Sequence, residues 1–152
     1  MRSLGAKLGP LLVQLPPSLA FEARSTRAFF ETLRRLHDGE VACEPRHAGW
    51  FTTEAEALLA ELRITRVAAD PARVAPAAEP GGWPGLVYYR LHGSPRTYYS
   101  AYPQAAIRAL GASLLPMVRR APVWCVFDNT AAGAAAADAM ALRRALQAAG
   151  GA

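Results

Sequence analysis

Four side chains in this sequence are suited to proton transfer or to ligating a hard metal ion: Glu44, His47, His92 and Asp128. Two arginines, Arg46 and Arg90, offer planar forks that grip a carboxylate or phosphate through paired hydrogen bonds. Gln14, Asp70 and Asn129 add further polar groups at comparable positions. The combination points to a small anionic or phosphorylated ligand handled by His/carboxylate chemistry, with a divalent metal as an open option. A plainer reading stays beside it. Glu44–Arg90 and Asp128–Arg46 could be ion pairs inside a folded sheet, with no ligand involved.

Other chemistries are set aside by what the sequence lacks. Its one lysine, Lys7, precedes the first strand, so no Schiff-base lysine sits among the polar residues. There is no Walker A, dinucleotide fingerprint, HExxH or nucleophile-elbow motif. Two cysteines, Cys43 and Cys125, are too few for a cysteine-type zinc site and lie in apolar runs, where they read as small buried hydrophobes.

Five short apolar runs carry the polar residues. They are 11–15 (LLVQL), 41–46 (VACEPR), 66–70 (RVAAD), 86–92 (LVYYRLH) and 123–128 (VWCVFD). Each is too short for an average helix and reads as a strand. Helical patterns separate most of them. Residues 26–36 place Phe29, Phe30, Leu33 and Leu36 at helical spacing behind an N-cap at Ser25. Thr53 and Glu56 form a capping box that opens 54–63. Residues 103–119 make the next helix, with a break or kink expected at Pro116. Residues 134–148 make the last, ended by Gly150-Gly151. Pro71–Pro84 lacks helical periodicity and reads as a long surface loop with at most a short helical turn.

Strand–helix alternation implies a parallel sheet with helices outside it. The turn after the first strand, QLPPS, has no glycine, which disfavours a doubly wound nucleotide binder and favours a barrel. All five strands carry polar residues near their carboxyl ends, where parallel α/β folds bind ligands. Alternation puts Glu44 with Arg46, Tyr88 with Arg90 and His92, and Trp124 with Asp128 on common faces. The last strand-to-helix turn, 129–133, is small and leads into a helix N-terminus, so its backbone N–H groups could bind an anion, with the turn His92-Gly93-Ser94 beside it. Gly93 and Gly133 could equally serve only to permit tight turns. The aromatic cluster Tyr98, Tyr99 and Tyr102 could stack on a sugar or base, but reads better as a half-buried wall.

The chain of 152 residues is 52% hydrophobic and 19% charged, consistent with one packed domain. Its net charge of +5 comes mostly from arginines in helical segments, which read as solvated helix surface. A nucleic-acid face is the weaker reading of that charge. No run approaches the ~20 apolar residues a bilayer span needs, so no membrane partner is expected and the protein reads as cytoplasmic.

Four stretches, LGPLLVQLPPS, CEPRHAGW, VYYRLHGSPRTYYSAY and VWCVFDNTAAGAAAADAMAL, together resemble the family called domain of unknown function 72, the YecE-like proteins. The resemblance covers nearly the whole chain. It implies a partial TIM-type (β/α)8 barrel: five parallel strands with outer helices, the first three strands missing. Residues 1–152 would then be a single incomplete barrel domain. It also carries Trp50 and Gly93 into the candidate site, beside Gln14, Glu44, Arg46, His47, Arg90, His92 and Asn129. Pro45 departs from the family pattern and puts local strand pairing in doubt. The family name assigns no reaction. A non-catalytic nucleic-acid or ligand-binding module and an inactive truncated fragment therefore stay open.

Overall fold

The computed structural model describes residues 2–150. Among these residues seven strands are present: β1 (Leu11–Gln14), β2 (Val41–Glu44), β3 (Thr65–Arg66), β4 (Ala68–Asp70), β5 (Gly81–Gly82), β6 (Val87–Leu91) and β7 (Val123–Phe127). Four α-helices lie between or after them: α1 (Ala23–Leu36), α2 (Thr53–Glu61), α3 (Gln104–Val118) and α4 (Ala134–Gly150).

The expected strands are found with trimmed ends, and all pair in parallel except β5. β1 pairs with β2 from Leu11↔Val41 to Gln14↔Glu44, and β2 continues onto β3. β4 pairs with β6, and β6 with β7. The run expected as one strand over 66–70 is divided at Val67. Its first half joins the sheet β1-β2-β3-β5 and its second the sheet β4-β6-β7. Val67 stays on the path, donating its N–H to the Cys43 carbonyl at 2.8 Å. β2 ends at Glu44, immediately before Pro45, where the missing donor stops the ladder.

Side-chain alternation builds the core on both faces of the strands. Val41 and Cys43 pack with Phe30, Trp50, Leu59 and Ile64 beneath α1 and α2. Ala68, Tyr89 and Leu91 pack with Ile107, Leu114 and Leu142 beneath α3 and α4. The alternate residues, Ala42, Val67 and Tyr88, gather with Leu86 on the opposite, inner face. Both cysteines are free thiols, and burial pushes both up, Cys125 to about 12.

Helix ends differ from the sequence expectation where a stronger group was nearby. α1 starts at Ala23, because the Glu22 carboxylate accepts from the Arg24 and Ser25 N–H groups at 2.9 and 2.7 Å. A full negative charge at a helix start outdoes the Ser25 hydroxyl. Of the expected apolar stripe of α1, Phe30 is buried, while Phe29 and Leu36 remain exposed. Thr52, not Thr53, caps α2. Glu56, expected in a capping box, instead pairs with Arg66 and accepts from the Gly82 N–H at 2.5 Å. α3 passes through Pro116 to Val118, so the helix does not end at the proline. α4 runs through Gly150, and Gly151 lies outside the described residues.

The long loop is more ordered than its composition implies. It contains a 3-10 turn at Ala75–Ala78 and the short strand β5, antiparallel to β3. Buried Arg66 holds it by donating to the carbonyls of Pro76 and Glu79, each at 3.1 Å. Gly82 has φ +66°, and a Cβ there would sit 2.5 Å from the Ile64 carbonyl oxygen. Only glycine fits that approach. Among the described residues, no helix is long and apolar enough to cross a membrane.

Candidate functional site

The carboxyl ends of β1, β2 and β7 bring three of the expected polar residues onto one guanidinium, that of Arg90 on β6. Arg90 Nη1 donates to Gln14 Oε1 and to Glu44 Oε2, each at 2.6 Å. Its Nη2 donates to Asp128 Oδ2. His92, two residues further along the same face, lies between the two carboxylates. Its Nδ1 is 2.7 Å from Asp128 Oδ1, and its Nε2 is 3.5 Å from Glu44 Oε1. Arg46 closes the group, with Nε and Nη2 each 3.1 Å from Glu44 Oε1.

The energetics follow from burial. The Glu44 side chain is 4% exposed and that of Arg90 12%. An isolated carboxylate there would be strongly disfavoured. Burial does push the Glu44 carboxyl up, but His92, Arg90 and Arg46 together outweigh it and hold it at about 2. Glu44 is therefore ionised at neutral pH. Arg90 is held in its charged form as well: burial works against the charge, and Glu44 and Asp128 more than offset it. Among the described residues, no group of three or more His, Cys, Asp or Glu side chains is arranged to hold a metal ion. Arg90 supplies the positive charge at the point where the carboxylates converge.

A cavity of about 240 Å³ opens beside this cluster, walled by Glu44, Arg46, Arg73, His92, Thr97 and Tyr98. Arg73 and Tyr98 come from loops; Arg73 carries no sequence signal as a ligand contact, and Tyr98 belongs to the aromatic cluster read as a wall. Tyr98 packs edge-on to the His92 ring, with centroids 5.7 Å apart. Its backbone is held at φ +70°, unusual for a residue with a side chain. Two hydrogen bonds fix it there: its N–H donates to the His92 carbonyl and its carbonyl accepts from the Ala131 N–H.

Several expected site residues are placed elsewhere. Asp70 is not in the cluster: the register aligns Ala69 with Arg90 and Asp70 with Leu91, so Asp70 faces the helices. The Asp128–Arg46 pair does not form, because Arg90 takes Asp128 and Arg46 takes Glu44. His47 caps the 3-10 turn Ala48–Trp50, its Nδ1 accepting from the Gly49 N–H at 3.0 Å. Trp50 is 3% exposed, stacks edge-on with Phe21 and donates Nε1–H to the Leu19 carbonyl, so it is core.

The 129–133 turn expected to offer N–H groups and its neighbour at 92–94 are partly committed. Gly93 donates its N–H to the Tyr102 hydroxyl at 2.9 Å. Its φ of +91° and the Ser100 carbonyl 2.7 Å from a would-be Cβ require glycine there. In the last turn, Ala131 donates to Tyr98 and Gly133 to Thr130. Asn129 is fully buried and donates Nδ2–H to the Ser100 carbonyl at 2.9 Å and to Asp138 Oδ2 at 2.7 Å. It ties the end of β7 to α4. Buried Asp138, which also accepts from the Tyr102 N–H, completes that brace. Its signal in the sequence, one acid in an alanine-rich helix, was visible but unassigned.

The fold and the cluster define a mixed α/β protein with parallel strands and four helices, whose polar residues collect at the strands' carboxyl ends. The profile described as "Protein of unknown function DUF72" matches residues 1–152, and the chain belongs to that family. A DUF72 family protein from Enterococcus faecalis V583 superposes with a TM-score of 0.78 at 22% identity, covering 93% of this chain and 60% of its own. A DUF72 family protein from Thermotoga maritima MSB8 gives a TM-score of 0.71 at 25% identity, covering 90% of this chain and 56% of its own. The chain thus spans less than two thirds of these solved relatives. No curated protein matches it.

Proposed function

We propose that this chain carries the ligand-binding rim of a (β/α)-barrel and that the rim takes a small anionic molecule, a phosphate or a carboxylate. The order of the parallel strands, with polar side chains at their carboxyl ends, supports the barrel reading. One observation carries the ligand class. Within the cluster, Glu44 and Asp128 are balanced by Arg46 and Arg90, and Arg73 then adds an uncompensated positive charge to the cavity wall.

In this reading Arg73 and Arg46 grip the anion. His92 is the proton-transfer group, because it lies between Asp128, beside its Nδ1, and Glu44, beside its Nε2, at the cavity wall. Tyr98 fixes the ring from the side. Arg90 and Gln14 position the carboxylates.

Isothermal titration with inorganic phosphate tests the proposal. Saturable binding is expected. Arg73→Ala should weaken it about tenfold, the equivalent of one charge-assisted hydrogen bond, while His92→Ala changes it little. No binding, or full affinity in Arg73→Ala, overturns the reading. A steeply salt-dependent affinity for duplex nucleic acid, indifferent to Glu44→Gln and His92→Ala, would replace it with a nucleic-acid module.

A further inference from the structure

The opposite face of the same strands holds a second cavity, of about 320 Å³, that plays no part in the rim. Its origin is topological. A parallel crossover is usually an α-helix, but the path from β4 to β6 is the loop with its 3-10 turn and β5. The outer surface of β4 and β6 is therefore flanked by α3 on one side and by the loop at Ala78 and Glu79 on the other. Leu91, Ile107, Leu110, Met117 and Phe127 form an apolar wall. The size lies at the lower end of small-molecule sites, roughly 300–1,000 Å³.

The rim of this cavity is acidic in a chain of net charge +5. Asp70 and Glu79 both line it. Neither has a cationic partner within ion-pair distance among the described residues. Their charge reaches the cavity interior. The Tyr89 hydroxyl is pushed up to about 12, by burial first and then by Glu79. The Tyr102 hydroxyl is pushed up by burial and then by Asp70. Burial disfavours charge of either sign, so it is the contributions of Glu79 and Asp70 that favour a cation here.

We propose that this outer cavity binds a small organic cation, its ammonium group at Asp70 and Glu79 and its apolar body against Leu91, Ile107 and Met117. The site is separate from the anion rim but linked to it. The Asp70 carbonyl accepts from the His92 N–H at 2.7 Å, and Tyr102 accepts from the Gly93 N–H. A ligand seated at Asp70 lies one hydrogen bond from the strand end that carries His92.

Nitrogen-15 correlation NMR of the full chain, titrated in parallel with benzylammonium, benzyl alcohol and benzoate, tests this. Benzylammonium should give saturable shifts at the amides of Ile107, Leu110 and Met117. The alcohol should bind at least tenfold more weakly and benzoate not at all. Glu79→Gln, at an exposed side chain, should weaken benzylammonium several-fold without changing the fold, and the Asp70→Asn, Glu79→Gln pair should weaken it further. Ala106→Trp, which fills the cavity from α3, should abolish the shifts. Equal binding of all three probes, an unchanged affinity in Glu79→Gln, or shifts that survive Ala106→Trp would overturn the proposal. Phosphate binding at the rim stands or falls independently.

Discussion

Arg90 and Leu91 are sequence neighbours on β6, yet they belong to regions held together by different physics. Arg90 points to the inner face, into a buried set of charges that is stable because every carboxylate has a guanidinium or imidazole beside it. Leu91 points to the outer face, among Ile107, Leu114 and Leu142, where stability comes from apolar burial. The two regions share a backbone and differ by one residue of strand register. The lesson is that pH, salt and single substitutions should act on them differently, even though they are side by side.

The largest expected effect breaks the inner region. Arg90→Ala removes the charge shared by Glu44, Asp128 and Gln14 and leaves two carboxylates without it, at a cost of about 3–5 kcal/mol at neutral pH. Denaturant melts should show that loss shrinking in acid, as the stranded carboxyls take up protons. A penalty independent of pH would mean that the inner cluster is held by packing, like the outer face.

Leu114→Ala is the matching cut on the outer face. Leu114 is fully buried, so its removal should cost about 2–5 kcal/mol. The same melts should give the same loss at acid and neutral pH.

Glu44 sharpens the contrast through pH alone. Its folded value is lowered from 4.5 to about 2. A carboxyl held down in the folded state contributes stability that is present in full above 4.5. That contribution is lost as the pH falls through 4.5 toward 2. Its size is on the order of 2–3 kcal/mol. Glu44→Gln should flatten the acid limb of the stability curve, measured by chemical melts between those values, and an unaltered acid limb would assign the acid sensitivity to another carboxylate.

The smallest expected effect on stability is that of Arg73→Ala. The residue is exposed and makes no ion pair among the described residues, so the melt should move by no more than about 0.5 kcal/mol. Phosphate affinity is the quantity that should change.

Much of this contrast was legible in the sequence, because strand alternation needs only local pattern. Gln14, Glu44, Arg90, His92 and Asp128 sit at the ends of apolar runs, and parallel strand order alone brings such ends to one rim. The placement of Asp70 was not legible. Its strand, RVAAD, has small or apolar residues on both faces, so nothing local says which face turns inward. The pairing of Ala69 with Arg90 decided it. Trp50 and Asn129 occur in family motifs, yet both serve packing: one anchors a loop carbonyl and the other braces α4.

What the sequence determined by itself is therefore most of the strands, their polar ends and the family. Those depend on neighbours two to four residues apart. The tertiary structure alone decided which carboxylate meets which guanidinium, that Arg73 and Tyr98 wall the inner cavity, and that an uncovered acidic cavity lies behind it. Those depend on loops without periodicity and on contacts such as Gln14–Arg90, 76 residues apart in the chain. No short-range rule encodes the distance between such residues. It is set only when the strands have paired and brought them together.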